Sequence, residues 1–204
     1  MAILLCGELY SQTTPAFDAK TWIPPYALMI PDKWNVERFP IPIEFAPQIP
    51  YKGVEDIRFT PGWGDAKSKE YWSYCFLWFL EGKPQINSDI IEKNLAAYYT
   101  GLIGRNIEPR KIPKEKIFPP KTSFKKIKTS NRDTETFQGT IYMLDYMQQQ
   151  PITLHCVVHL NKCTTWPGKT FVFYEISPQP PGEEVWVDMN NIYLSFDCSK
   201  PSAK

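Results

Sequence analysis

Residues 152–163, ITLHCVVHLNKC, put His155, Cys156, His159 and Cys163 within one short stretch, and these are both of the chain's histidines. Imidazole nitrogen and thiolate sulfur are zinc ligands, and residues four apart share a helix face, so the spacing would suit a metal if this backbone were helical. The pattern is that of a strand. Ile152, Leu154, Cys156, Val158 and Leu160 alternate with Thr153, His155, Val157, His159 and Asn161, giving one buried face. At about 3.3 Å per residue the two imidazoles stand roughly 13 Å apart, whereas zinc needs ligands at about 2.0–2.3 Å. Cys156 points to the opposite side. No metal is expected.

The same histidines could serve acid–base chemistry. His155 or His159 could partner Glu175 on the next strand, with a serine or Cys163 as nucleophile. A hydrolase is therefore the alternative to a binding protein. Against it, the chain has no G-x-S-x-G elbow, no cysteine in a recognisable catalytic phrase and no Gly-rich phosphate loop. Neither a catalytic residue nor a cofactor is assigned.

With 204 residues and 43% hydrophobic content the chain can bury a core of one domain, and its formal net charge of +1 favours no particular partner. Twenty prolines and seven tryptophans are a heavy load of both. No run of about 18 apolar residues is present, so no membrane-spanning helix is expected. The start, MAILLCGELYSQTTPAF, reads as the back half of an export signal without its basic region, cleaved near Ser11 or Gln12. Cys6 as a lipidated residue is disfavoured by the bulky Leu5 before it. The expectation is a leader remnant over residues 1–12 and one α+β domain over 13–204, in a periplasmic or secreted protein; a short N-terminal strand in a cytosolic protein is the alternative. Removing Cys6 leaves four cysteines, an even number that suits an oxidising compartment. At most one disulfide is expected among Cys156, Cys163 and Cys198, with Cys75 a buried thiol; the alternative is that all four are small core residues.

The elements that must position these groups follow from periodicity. Residues 13–33, rich in Pro and aromatics, read as an extended surface segment. Val36–Phe45 alternates as a strand whose prolines confine it to a sheet edge, and Val54–Phe59 is its hairpin partner. Glu70–Leu80, EYWSYCFLWFL, is apolar nearly all round and predicts a buried helix. A second helix starts at Asp89, where Glu92 completes a capping box, with Ile91, Leu95, Tyr98 and Leu102 as its stripe. Strands follow near Ser123–Lys128 and over Phe137–Met147, Ile152–Leu160, Thr170–Ile176 and Ile192–Cys198. The fold class is α+β: an antiparallel meander covered on one face by two helices, with an N-terminal proline-rich hairpin.

Three surfaces could bind. In FTPGWGD, glycines on both sides let Trp63 project from a sharp turn as a stacking platform for a sugar or flat ligand, with Glu55, Asp56 and Arg58 supplying polar contacts. The structural alternative is that Trp63 plugs the core edge and Arg58 pairs with a neighbouring carboxylate. Residues 105–132 hold ten Lys/Arg and two Glu, a net +8 that leaves −7 for the rest. Lys121, Lys125, Lys126, Lys128 and Arg132, near Phe118 and Phe124, could bind a polyanion. A solvated surface fits better, and nucleic acid is not the expected partner of an exported, nearly neutral protein. The aromatic residues of 70–80 could instead line an apolar cavity.

The phrases PIPIEFAPQIPYKGVEDIRFTPGW and KTFVFYEISPQP resemble those of an uncharacterised exported protein family of Bacteroidetes-type bacteria, over most of the chain after the leader. The resemblance implies an extracytoplasmic location and no activity or catalytic residue. The order hairpin, helices, meander is similar to cystatin-like or PsbP-like architectures, which implies no function. The reading is a non-catalytic exported binding or accessory module for a protein partner or a small ligand (sugar, lipid or peptide).

Overall fold

The computed structural model describes residues 17–201. The expected leader remnant over residues 1–12, and Cys6 with it, lie outside them. Seven strands form one antiparallel sheet in the order β1-β2-β3-β7-β6-β5-β4. The first three, β1 (Asn35–Ile41), β2 (Gly53–Phe59) and β3 (Tyr74–Glu81), make one meander. Helix α1 (Ser88–Gly104) then carries the chain over one face to the far edge, where β4 (Lys121–Ile127) begins the second meander. β5 (Asp133–Asp145), β6 (Gln150–Asn161) and β7 (Lys169–Ser177) return toward the centre, so that β7 pairs with β3. Helix α2 (Glu184–Ser195) closes the fold.

The α+β class with an antiparallel sheet and two helices agrees with the sequence, but two segments exchange roles. Residues 74–81 are not helical: they form central strand β3, greasy on both faces because both are covered. Tyr74, Phe76 and Trp78 join a core with Ile91, Leu95 and Tyr98 of α1. Cys75, Leu77 and Phe79 join the other core, with Val185, Trp186, Met189, Ile192 and Tyr193 of α2. A strand buried on both sides loses its alternation and reads as a continuous apolar run. Conversely, Ile192–Cys198 is not a strand, since 192–195 complete α2, whose buried positions 185, 186, 189, 192 and 193 follow the helical period. The helices thus divide between the faces, α1 on one and α2 on the other.

The N-cap of α1 is Asn87, whose side chain accepts from the amide of Ile90 at 3.0 Å, rather than Asp89. Glu92 does not cap the helix. Its carboxylate accepts from the amide of Phe124 on edge strand β4 at 2.7 Å, occupying a donor that an open edge would offer to another chain. Strand β1 forms the opposite edge and contains Pro40. Residues 17–33 lie over the α2 face as an extended strap: Ala27 bridges Asp197, and Tyr26 is fully buried. Among the described residues no helix is long and apolar enough to cross a membrane.

Candidate functional site

On the α1 side, near the β1 edge, lies a cleft of about 260 Å³. Its floor is Ile57 and Phe59 of β2 and Tyr74 of β3; α1 contributes Tyr98 and Leu102; Trp63, Trp72 and Tyr146 wall it. Glu37, Arg105 and Asn106 reach its mouth. The β2–β3 connection holds Trp63 through its backbone. The Trp63 amide donates to the carbonyl of Thr60 at 3.1 Å, and the Trp72 amide donates to the carbonyl of Trp63 at 3.0 Å. The Trp63 ring packs on Phe59, centroids 4.8 Å apart, and edge-on to Trp72 at 5.7 Å. Gly101 lets the chain after β1 cross the helix, because a Cβ there would overlap the carbonyl of Phe45. That crossing sets Phe45 edge-on to Tyr98 at 5.1 Å.

The indole N–H groups of Trp63 and Trp72 are both buried without a hydrogen-bond partner among the described residues. A buried donor left unpaired costs on the order of 1–3 kcal/mol; Trp72 is fully buried with its indole beside the Tyr71 hydroxyl, so the half-buried Trp63 is the indole that lies at the cleft. Directly beneath, Glu55 is completely buried and accepts from the Tyr98 hydroxyl at 2.9 Å and from Trp78 Nε1 at 3.2 Å. Burial pushes its carboxyl up to about 8 against the pull of those two donors, so the site favours the protonated form.

The four residues grouped by the sequence are therefore separated. Trp63 lines the cleft and Glu55 lies under it. Asp56 and Arg58 are on the other face of β2, as strand alternation requires, buried beneath the strap. Asp56 accepts from Arg58 at 2.5 and 3.1 Å, from Arg38 at 2.7 Å and from the Tyr26 hydroxyl at 3.2 Å, while Arg58 also donates to the carbonyl of Met29. This is the pairing with a neighbouring carboxylate that the sequence offered for Arg58, and it anchors the strap.

The histidines lie on the α2 side of β6. His155 is partly exposed, whereas His159 is buried. His159 Nδ1 is 2.8 Å from Asp133 and Nε2 is 3.9 Å from Glu175. Tyr193 of α2 stacks on the imidazole at 3.9 Å. Burial opposes its charge, but the hydrogen bond to Asp133 and the nearby Glu175 carboxylate prevail and raise it to about 9. The imidazolium is thus a structural cation between two carboxylates. Cys163, one candidate nucleophile, is bonded to Cys198, and Cys156 and Cys75 are buried free thiols; burial pushes both thiols up, away from the reactive thiolate.

The cations of residues 105–132 are spread over both faces. Arg105 sits over Phe45, Arg110 over Tyr146 and Arg132 over Tyr193. Lys126 pairs with Glu135, and Lys121, Lys125 and Lys128 are exposed. Phe45, Tyr98, Arg105 and Tyr146 are cleft residues that sequence reasoning missed. Each belongs to a different element or loop from Trp63, and the one local signal was Gly101 within an amphipathic helix. Comparison with family models, curated proteins and solved structures finds no match.

Proposed function

We propose that this chain is a non-catalytic binding or accessory module that works outside the cytoplasm and holds a ligand ring in the cleft beside Trp63. The observation that carries the reading is the unpartnered indole donor of the half-buried Trp63, Nε1, in a cleft walled mainly by aromatic and aliphatic side chains with Glu37, Arg105 and Asn106 at its mouth. Concave, largely apolar sites with a few convergent polar groups are how proteins hold small molecules, and about 260 Å³ suits one ring or side chain. The extracytoplasmic location is supported by the Cys163–Cys198 disulfide, since such bridges persist in oxidising compartments. The non-catalytic reading is supported by His159, which is clamped between carboxylates under Tyr193.

Tryptophan fluorescence and thermal-shift titration against glycans, lipids and peptides test it. A ligand that raises the melting temperature and perturbs the emission, and does neither with Trp63→Ala, is expected. A hit that binds Trp63→Ala unchanged, or a complete absence of hits, removes the reading.

A further inference from the structure

Next to the cleft lies a second hollow of about 210 Å³, bordered by Pro40, Pro42, Ile43 and Glu44. The two share Phe39, Phe45 and Arg105, so they join into one groove along the seam between β1 and the end of α1. A ligand that fills it must be longer than one ring. The charged groups along this groove are Glu37 at one end, Glu44 at the other and Arg105 between them, all exposed. None has an ion-pair partner among the described residues. Two carboxylates demand donors; the guanidinium and the Trp63 indole N–H demand acceptors.

We propose that the groove binds a neutral oligosaccharide of two or more rings, one ring beside Trp63 and the next beyond Arg105, against Phe39, Phe45 and Pro42. This rests on the cleft reading above and names its ligand class. An acidic chain would meet Glu37 and Glu44, and a basic one would meet Arg105, so the mixed set favours an uncharged ligand. Hydroxyl groups donate and accept at once, which answers both demands on a single uncharged molecule. A proline-rich peptide has few N–H groups to satisfy two carboxylates. An ordinary extended peptide would have to add to the outer edge of β1, where Pro40 has no N–H to give. Aromatic side chains supply the flat apolar area that sugar C–H faces require.

The full chain is titrated by tryptophan fluorescence with neutral mono-, di- and tetrasaccharides of glucose, mannose and N-acetylglucosamine, at low and high salt. Affinity should rise about ten-fold from one ring to two and be insensitive to salt. Trp63→Ala should abolish binding. Glu44→Gln, at an exposed position that borders only the second hollow, should erase the gain from the second ring while leaving the monosaccharide affinity unchanged, whereas Arg105→Ala, which borders both hollows, should weaken both. Equal affinity for one ring and two, preference for heparin, or binding of a polyproline peptide instead of sugars would overturn the proposal. If no sugar binds but a hydrophobic fluorophore does so in a Trp63-dependent way, the cleft reading survives and the oligosaccharide assignment fails. If neither binds, both fail.

Discussion

His159 donates from Nδ1 to Asp133 across 2.8 Å, and this contact ties β6 to the start of β5 beneath α2. Asp133 also accepts from Ser130, Thr136, Asn161 and Tyr193. Four separate pieces of chain, the 130 turn, β5, β6 and α2, thus converge on one carboxylate. Burial alone would raise Asp133, yet the His159 bond and these donors hold it below the usual carboxylate range. The pair is buried, so each member depends on the other for compensation of its charge.

His159 gives the first prediction. Its folded value of about 9 lies above the ordinary 6.5, so its contribution to stability is complete below pH 6.5 and is lost as pH rises through 9. His159→Gln leaves Asp133 buried without its cation and should cost about 3 kcal/mol at pH 6. The deficit should shrink at pH 9.5, where the native histidine is also neutral. Urea titrations at the two pH values measure this. An equal loss at both would mean that packing under Tyr193, rather than charge, holds the imidazole.

Glu55 gives the second. Its carboxyl is raised from 4.5 to about 8 by burial, so the folded protein retains a proton that the unfolded chain releases. Stability is therefore complete below about pH 4.5 and falls as pH rises toward 8. Glu55→Gln keeps an acceptor for Tyr98 or Trp78 and has no charge to bury. It should match the native protein near pH 4.5 and exceed it by on the order of 3 kcal/mol at pH 8.5. Together with His159, this puts the stability maximum on the acidic side of neutral. Thermal melts of both proteins across pH 4.5–9 decide it, and a native melting temperature that climbs over this range would refute both assignments.

The disulfide gives the third. Cys163 and Cys198 are 35 residues apart in sequence, and the loop they close contains β7 and α2. Closing a loop of that length removes about 3–4 kcal/mol of denatured-state freedom. Reduction, or Cys198→Ala, should lower stability by about that amount and should loosen α2 before the sheet. Hydrogen exchange reads the order: protection lost first in residues 184–195 is expected, and uniform loss across the sheet would contradict it.

How far these relationships could be read in advance depended on how many faces an element buries. Strands β5 and β6 were legible because one side is wetter than the other, as at His155 and Thr153 of β6. In β3, Tyr74, Phe76 and Trp78 face α1 while Cys75, Leu77 and Phe79 face α2, so no period remains to tell strand from helix. At the end of α2 and just past it, Ile192, Leu194, Phe196 and Cys198 imitate a strand, but Leu194 is 46% exposed, and the buried helical partners of Ile192 are Met189 and Tyr193. The flanking glycines of Trp63 made a sharp turn legible, and the structure packs its ring on Phe59 and Trp72 at the edge of the core. The cleft residues Arg105, Tyr98 and Tyr146 were not legible, since only the crossing of α1 over the sheet brings them to it.

Two glycines of the same helix give opposite predictions. In a helix interior alanine is intrinsically better than glycine by about 1 kcal/mol. At Gly104 an added Cβ meets nothing within 4 Å, so Gly104→Ala should stabilise the protein by up to about 1 kcal/mol. At Gly101 the same methyl would overlap the Phe45 carbonyl and crowd its ring, and backbone cannot yield as a flexible side chain can. Gly101→Ala should therefore destabilise by about 1–3 kcal/mol. It should also push Phe45 away from Tyr98, weakening any ligand that spans the groove while leaving the environment of Trp63 unchanged. Denaturant titrations of both variants, with near-ultraviolet circular dichroism as the readout of the aromatic cluster, test this. A Gly101→Ala protein as stable as Gly104→Ala would show that the segment around Phe45 does not press on α1, and the groove would lose the contact that shapes its middle.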